Sequence, residues 1–151
     1  ARYTTADGEA LELPVKLKVH DSVFVPLAKW SMLLTGNYRC ISEDDARPIK
    51  DAVHSDLDAS REVYAFVGKL CEAMGAAPAD MVPFEKYANA ASGLLKPSSA
   101  ARALYAGAPF IERVDCLVRT IAQAQGMHSD SVDATVKIVD QRLASNRTAA
   151  K

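Results

Sequence analysis

A chain of 151 residues, 49% hydrophobic and 25% charged, has the composition of one globular domain with a buried core and is too short to expect two. Its 18 basic and 19 acidic side chains leave a net charge of −1, which excludes a field that would gather nucleic acid or an anionic membrane. No apolar run approaches the roughly 20 residues a bilayer span needs, and the acidic, polar start ARYTTADGEALE is unlike a signal peptide.

Residues 11–19 alternate, with Leu11, Leu13, Val15, Leu17 and Val19 on one side, and this predicts a short strand. Pro14 places it at an edge or a strand start. A lone strand cannot satisfy its own backbone, so its partner would lie outside this sequence or in another copy; an extended arm lying on the helices is the alternative.

From Asp21 the period becomes helical. Asp21 or Ser22 can cap, and Val23, Leu27, Trp30, Leu33 and Leu34 recur at three- and four-residue steps. Pro26 falls in the first turns, where a missing amide matters little. Gly36-Asn37 predicts a break or kink. The loop SEDDARP follows, then a short helical turn to about Val53.

The clearest helix spans residues 55–75, with Ser55 and Asp58 as a capping pair, an apolar face of Val63, Phe66, Val67, Leu70, Cys71 and Met74, and Gly75 as its end. A helix over about 84–94 comes next. Lys96-Pro97-Ser98-Ser99 breaks the pattern, and its serines can cap the short helix AARALYAG. Pro109 opens a further helix with Phe110 or Ile111, Val114, Leu117, Val118 and Ile121 inward, stopping at Gly126. The last has Val132, Val136, Val139 and Leu143 on one stripe, and residues 146–151 read as a frayed tail. The expected fold is mainly α, with one short N-terminal strand or extended arm over residues 1–20 and a helical domain over 21–145.

Three cysteines, Cys40, Cys71 and Cys116, are widely spaced and odd in number, so no disulfide framework is suggested and a reducing cytoplasm is the expected compartment. His20, His54 and His128 lack metal-ligand spacing, and no metal site is expected. The glycines include neither GxGxxG nor GxxxxGK[ST], so the chain carries no dinucleotide site of the usual kind; GxSxG and HExxH are also missing.

One order of features goes further. Val19-His20-Asp21 leads into a helix bearing Trp30 with an Asn near its end. A long helix closed by Gly75, the pair Ser98-Ser99, a Gly107-x-Pro109 turn and an FIERVD segment ending in Ala124-Gln125-Gly126 follow. Over about residues 14–143 this resembles the C-terminal domain of the ketopantoate reductase (2-dehydropantoate 2-reductase) family. The resemblance implies the helical fold shared with the C-terminal domain of 6-phosphogluconate dehydrogenase. It further implies a preceding Rossmann domain that binds NADPH, of which residues 1–20 would hold a remnant, and a homodimer. The substrate would be a 2-keto acid lying between the two domains, with a Lys as general acid and a Glu and Ser holding it. Hydride addition to a ketone leaves an alkoxide that needs such a donor.

By the same resemblance Asp21 and Trp30 match family positions, and Ser98 and Ser99 match its substrate-holding loop. The family Lys falls at Met32, which cannot donate a proton. The family Asn falls at Gly36, with Asn37 one step on. The family Glu falls at Phe110 or Ile111, and Glu112 would need a local shift or would match the family's following Asp. Lys29, one turn before Met32 on nearly the same face, is the candidate replacement donor. Trp30 reads as a core or interdomain anchor, Ser98 and Ser99 as caps that could also hold substrate, and Asn37 as a turn residue that could do the same. Two readings result. The chain is the substrate-binding and dimerisation domain of a ketopantoate-reductase-like oxidoreductase, or it is a non-catalytic helical association module that has lost the Lys and Glu.

Overall fold

The computed structural model describes residues 2–12, 19–20 and 22–149, apart from the Pro26 side chain. It is mainly helical. β1 (Arg2–Thr4) and β2 (Ala10–Glu12) form an antiparallel hairpin in the register Arg2↔Glu12, Tyr3↔Leu11, Thr4↔Ala10. Gly8 takes a positive φ of 83° in the connecting turn. The strand expected at 11–19 is thus corrected where it can be followed: Leu11 and Glu12 find their partner inside the chain. Residues 13–18 and the capping candidate Asp21 lie outside the described residues.

Ser22 opens the helical part, its Oγ accepting from Phe24 N at 3.1 Å. α1 (Phe24–Leu27) and α2 (Lys29–Met32) run directly into a π-helical segment, Leu33–Tyr38. The break expected at Gly36-Asn37 is therefore a widened turn, and the helix continues through it. Leu34, Thr35, Gly36 and Tyr38 of this segment are buried, and around it pack α3 (Ile49–His54), α4 (Leu57–Ala73), α6 (Ser99–Tyr105), α7 (Val114–Ala124) and α8 (Asp130–Ala149). α5 (Phe84–Ala91) packs on α3 and α4.

The main core joins Leu34, Val67, Leu70, Leu104 and Val118 to the α8 stripe Val132, Val136, Val139 and Leu143. Each such side chain contributes about 1.5–3 kcal/mol when fully buried. Trp30 packs partly buried against this cluster. A second cluster gathers Val53, Tyr64, Phe84, Tyr87, Ala88 and Ala91, with Met32 and Ile49 on its margin.

Several boundaries differ from the local pattern. Asp56, not Ser55, caps α4, accepting from Ala59 N at 2.9 Å. α7 starts at Val114 and not at Pro109, because the Tyr38 hydroxyl donates to Glu112 O and accepts from Val114 N, holding the intervening chain open. The tail expected to fray from residue 146 is helical to Ala149. Asn146 Nδ2 donates to Leu104 O at 2.7 Å and Ala108 O at 3.0 Å, and Arg147 Nε donates to Pro109 O at 3.0 Å. Gly75 and Gly126, with φ of 107° and 68°, stand just past the ends of α4 and α7 as expected.

Candidate functional site

The first amides of a helix have no intrahelical acceptor. In α3 two of them are satisfied from a distance: Ile49 N donates to Lys96 O at 3.2 Å and Lys50 N to Leu94 O at 3.0 Å. This laces the segment after α5 to α3 and delivers Ser98 to the π-helical segment. The Ser98 Oγ donates to Asn37 O at 2.7 Å and accepts from Ala101 N at 3.1 Å, which caps α6. Between these elements lies a cleft of about 480 Å³ lined by Asn37, Lys96, Ser98, Ser99 and Arg102, with Ile49, Leu94 and Leu95 as its apolar wall.

Among the described residues, two cations and no carboxylate line this cleft. Ser98 is buried with its hydroxyl engaged, whereas Ser99 is exposed and Asn37 half-buried, so both can still offer polar atoms. Such a set suits a small anion with a short aliphatic body: guanidinium and ammonium for a carboxylate, hydroxyl and amide for a neighbouring oxygen. The Cys40 thiol is fully buried; burial pushes its pKa up, opposed by hydrogen bonding with Ser98, and this leaves it a packing group.

Asn37, Ser98 and Ser99, to which the resemblance assigns substrate contact, line one cleft. Ser98 is both cap and cleft wall. Lys29 is exposed on α2 and does not line the cleft. Met32 packs against the second cluster, and its carbonyl accepts from the Tyr87 hydroxyl at 3.1 Å. Gly36 has no room for any side chain: an added Cβ would fall on the Tyr87 hydroxyl, with Ile49 Cγ2 at 3.1 Å. Phe110 is 74% exposed beneath the Arg147 guanidinium, 5.0 Å from its ring centre, and Ile111 packs partly buried on the core. Glu112 is exposed and engages Tyr38 through its backbone only. None of these reaches the Ser98 cleft.

Lys96 and Arg102 are the lining groups that sequence reasoning missed. Arg102 lies one turn beyond Ser98-Ser99 on the same short helix, a spacing that could have flagged it. Comparison with protein-family models, curated proteins and solved structures finds no match to this chain.

Proposed function

We propose that this chain is the helical substrate-binding and dimerisation domain of a ketopantoate-reductase-like, NADPH-dependent oxidoreductase acting on a 2-keto acid. It would have the fold of the 6-phosphogluconate dehydrogenase C-terminal domain and be completed by a Rossmann domain. The supporting observation is that Asn37, Ser98 and Ser99 converge on one cleft with Lys96 and Arg102. A 2-keto acid presents a carboxylate for the cations and an adjacent carbonyl for the neutral donors. The cofactor half would supply the hydride; these residues would bind and orient the acid.

One observation favours the second reading, a non-catalytic association module. The family's Lys and Asn positions are closed to the cleft, one by packing of Met32 and the other by Tyr87 over Gly36. Calorimetric titration with pyruvate, 2-oxoisovalerate and ketopantoate separates the two. Saturable binding that weakens in Arg102→Ala supports the oxidoreductase domain. No binding by any of the three, with a dimer in sedimentation equilibrium, leaves the association module.

A further inference from the structure

A second trough lies where the chain folds back after the π-helical segment. Ile41 and Ala46 form an isolated antiparallel bridge, and Arg47 N donates to Cys40 O at 3.0 Å. The fold-back sets Arg47 against Arg39, with Arg47 Nε donating to the Arg39 carbonyl at 2.8 Å. Both guanidiniums otherwise hold neutral partners: Arg39 Nη1 donates to Ser60 Oγ at 2.6 Å, and Arg47 Nη1 to Ser55 Oγ at 3.4 Å.

Among the described residues neither arginine has an ion pair. Asp56 favours the Arg39 charge through space, but its carboxylate is occupied in capping α4. Burial and then the Arg47 charge pull the Arg39 pKa below its ordinary value. Two like charges held together this way gain from a bound anion.

Across from them Ser131 and Thr135 of α8 close a groove of about 390 Å³. It adjoins a recess of about 340 Å³ that shares Ser42, Glu43 and Ile138 with it and is also lined by Arg142. Arg142 stacks on Tyr105, 4.2 Å from the ring centre, and its Nε is buried without a hydrogen-bond partner among the described residues. Among the described residues three arginines therefore line the trough with one carboxylate, Glu43.

We propose that this trough is a second binding site, for the phosphate group of a small molecule, held in the guanidinium forks of Arg39 and Arg47 with Ser131 and Thr135 opposite. A guanidinium carries five N–H donors in a fork that matches phosphate. Thr135 Oγ1 donates its one proton to Ser131 O at 2.9 Å, but Arg39 keeps Nε and Nη2, Arg47 keeps Nη2, and Ser131 keeps its hydroxyl outside the bonds named above. These still offer more donors than a carboxylate has oxygens to accept them, and a tetrahedral dianion can use them. The trough shares no lining residue with the Ser98 cleft, so the proposal is independent of the 2-keto acid reading.

The test is NMR titration of the ¹⁵N-labelled chain with inorganic phosphate and pyrophosphate, against chloride at matched ionic strength. Saturable shifts in the amides of Arg39–Arg47 and Ser131–Ile138 are expected with both phosphates and not with chloride. Thr135→Asp places a carboxylate in the trough while leaving both arginines their hydrogen bonds, and is expected to weaken binding at least tenfold with no loss of melting temperature. Arg47→Lys keeps the charge but loses the fork and is expected to weaken it several-fold. Lys69→Ala, an equal charge change on the exposed face of α4, is expected to leave it unchanged. Shifts that never saturate, that chloride reproduces, or that survive Thr135→Asp would overturn the proposal.

Discussion

The hydroxyl of Tyr87 occupies the space that any side chain at Gly36 would need. It is held there by its bond to Met32 O and by stacking of its ring on Tyr64, 5.5 Å between centres. The widened helical turn and the bare residue at position 36 are thus one feature. A tyrosine from α5 takes up the Met32 carbonyl, and only glycine leaves it room.

Gly36→Ala should therefore destabilise the fold by about 1–3 kcal/mol, even though alanine is the better helix former by about 1 kcal/mol. Urea denaturation measures this. Adding Tyr87→Phe removes the clashing oxygen and should return part of the loss, with the ring Cζ still at 3.3 Å from the new methyl. A Gly36→Ala variant as stable as the parent would show that the tyrosine moves aside freely.

Tyr38 joins the π-helical segment to the start of α7 through Glu112 O and Val114 N. Tyr38→Phe leaves both backbone groups without their partner and should cost about 1–3 kcal/mol, with faster hydrogen exchange at Val114. Burial raises the pKa of Tyr38, and of Tyr64, to about 12. A raised folded-state pKa means this stability is complete below the unfolded tyrosine value of about 10 and is lost as pH rises through about 12. Alkaline unfolding followed by circular dichroism should show that window, and Tyr38→Phe should lose less stability across it.

Asp115 is fully buried and takes both Nε and Nη2 of Arg113, each at 2.9 Å, while Arg113 Nη1 also holds Asp140 at 2.6 Å. Burial works against the Arg113 charge, but these carboxylates outweigh it and lift its pKa above the usual guanidinium value. Asp115→Asn leaves that charge under-compensated and should destabilise by about 2–3 kcal/mol. Asp140→Asn, at the exposed end, should fall within about 1 kcal/mol of the parent. Equal losses in the two would contradict the assignment of the buried partner.

Thr35 is buried in the π-helical segment and its Oγ1 has no hydrogen-bond partner among the described residues. Thr35→Val keeps the shape and removes a desolvated hydroxyl, so it should stabilise by about 1 kcal/mol. A lower melting temperature in Thr35→Val would mean that the hydroxyl finds a partner in solution.

Arg102 and Lys29 test the cleft assignment directly. If the proposed cleft holds a 2-keto acid, Arg102→Ala should weaken its binding at least about tenfold, since a charge-assisted hydrogen bond is worth about 1.5–3 kcal/mol and tenfold corresponds to about 1.4 kcal/mol. Lys29→Ala changes an exposed residue outside the cleft and should leave binding within twofold. The reverse ranking would return Lys29 to the site.

What the sequence determined by itself is what a local window can carry. The mainly helical class, the inward faces of α4 and α8 and the glycine ends of α4 and α7 follow from apolar periodicity and from glycine's tolerance of positive φ. Ser98 was legible as a cap because its capping bond is local, reaching only to Ala101 N; its second bond, to Asn37 O, was not.

The tertiary structure decided whatever depends on a partner far along the chain. The turn at Gly36 widens because Tyr87 arrives from α5. α7 begins late because Tyr38 claims the backbone before it, and α8 runs on to Ala149 because Asn146 and Arg147 find free carbonyls around Pro109. Asn37, Ser98, Lys96 and Arg102 share a cleft because orphan amides of α3 draw the Leu94–Lys96 backbone to them. Helix termini and carbonyls freed from regular pairing must be satisfied somewhere, and only the packed chain determines by whom.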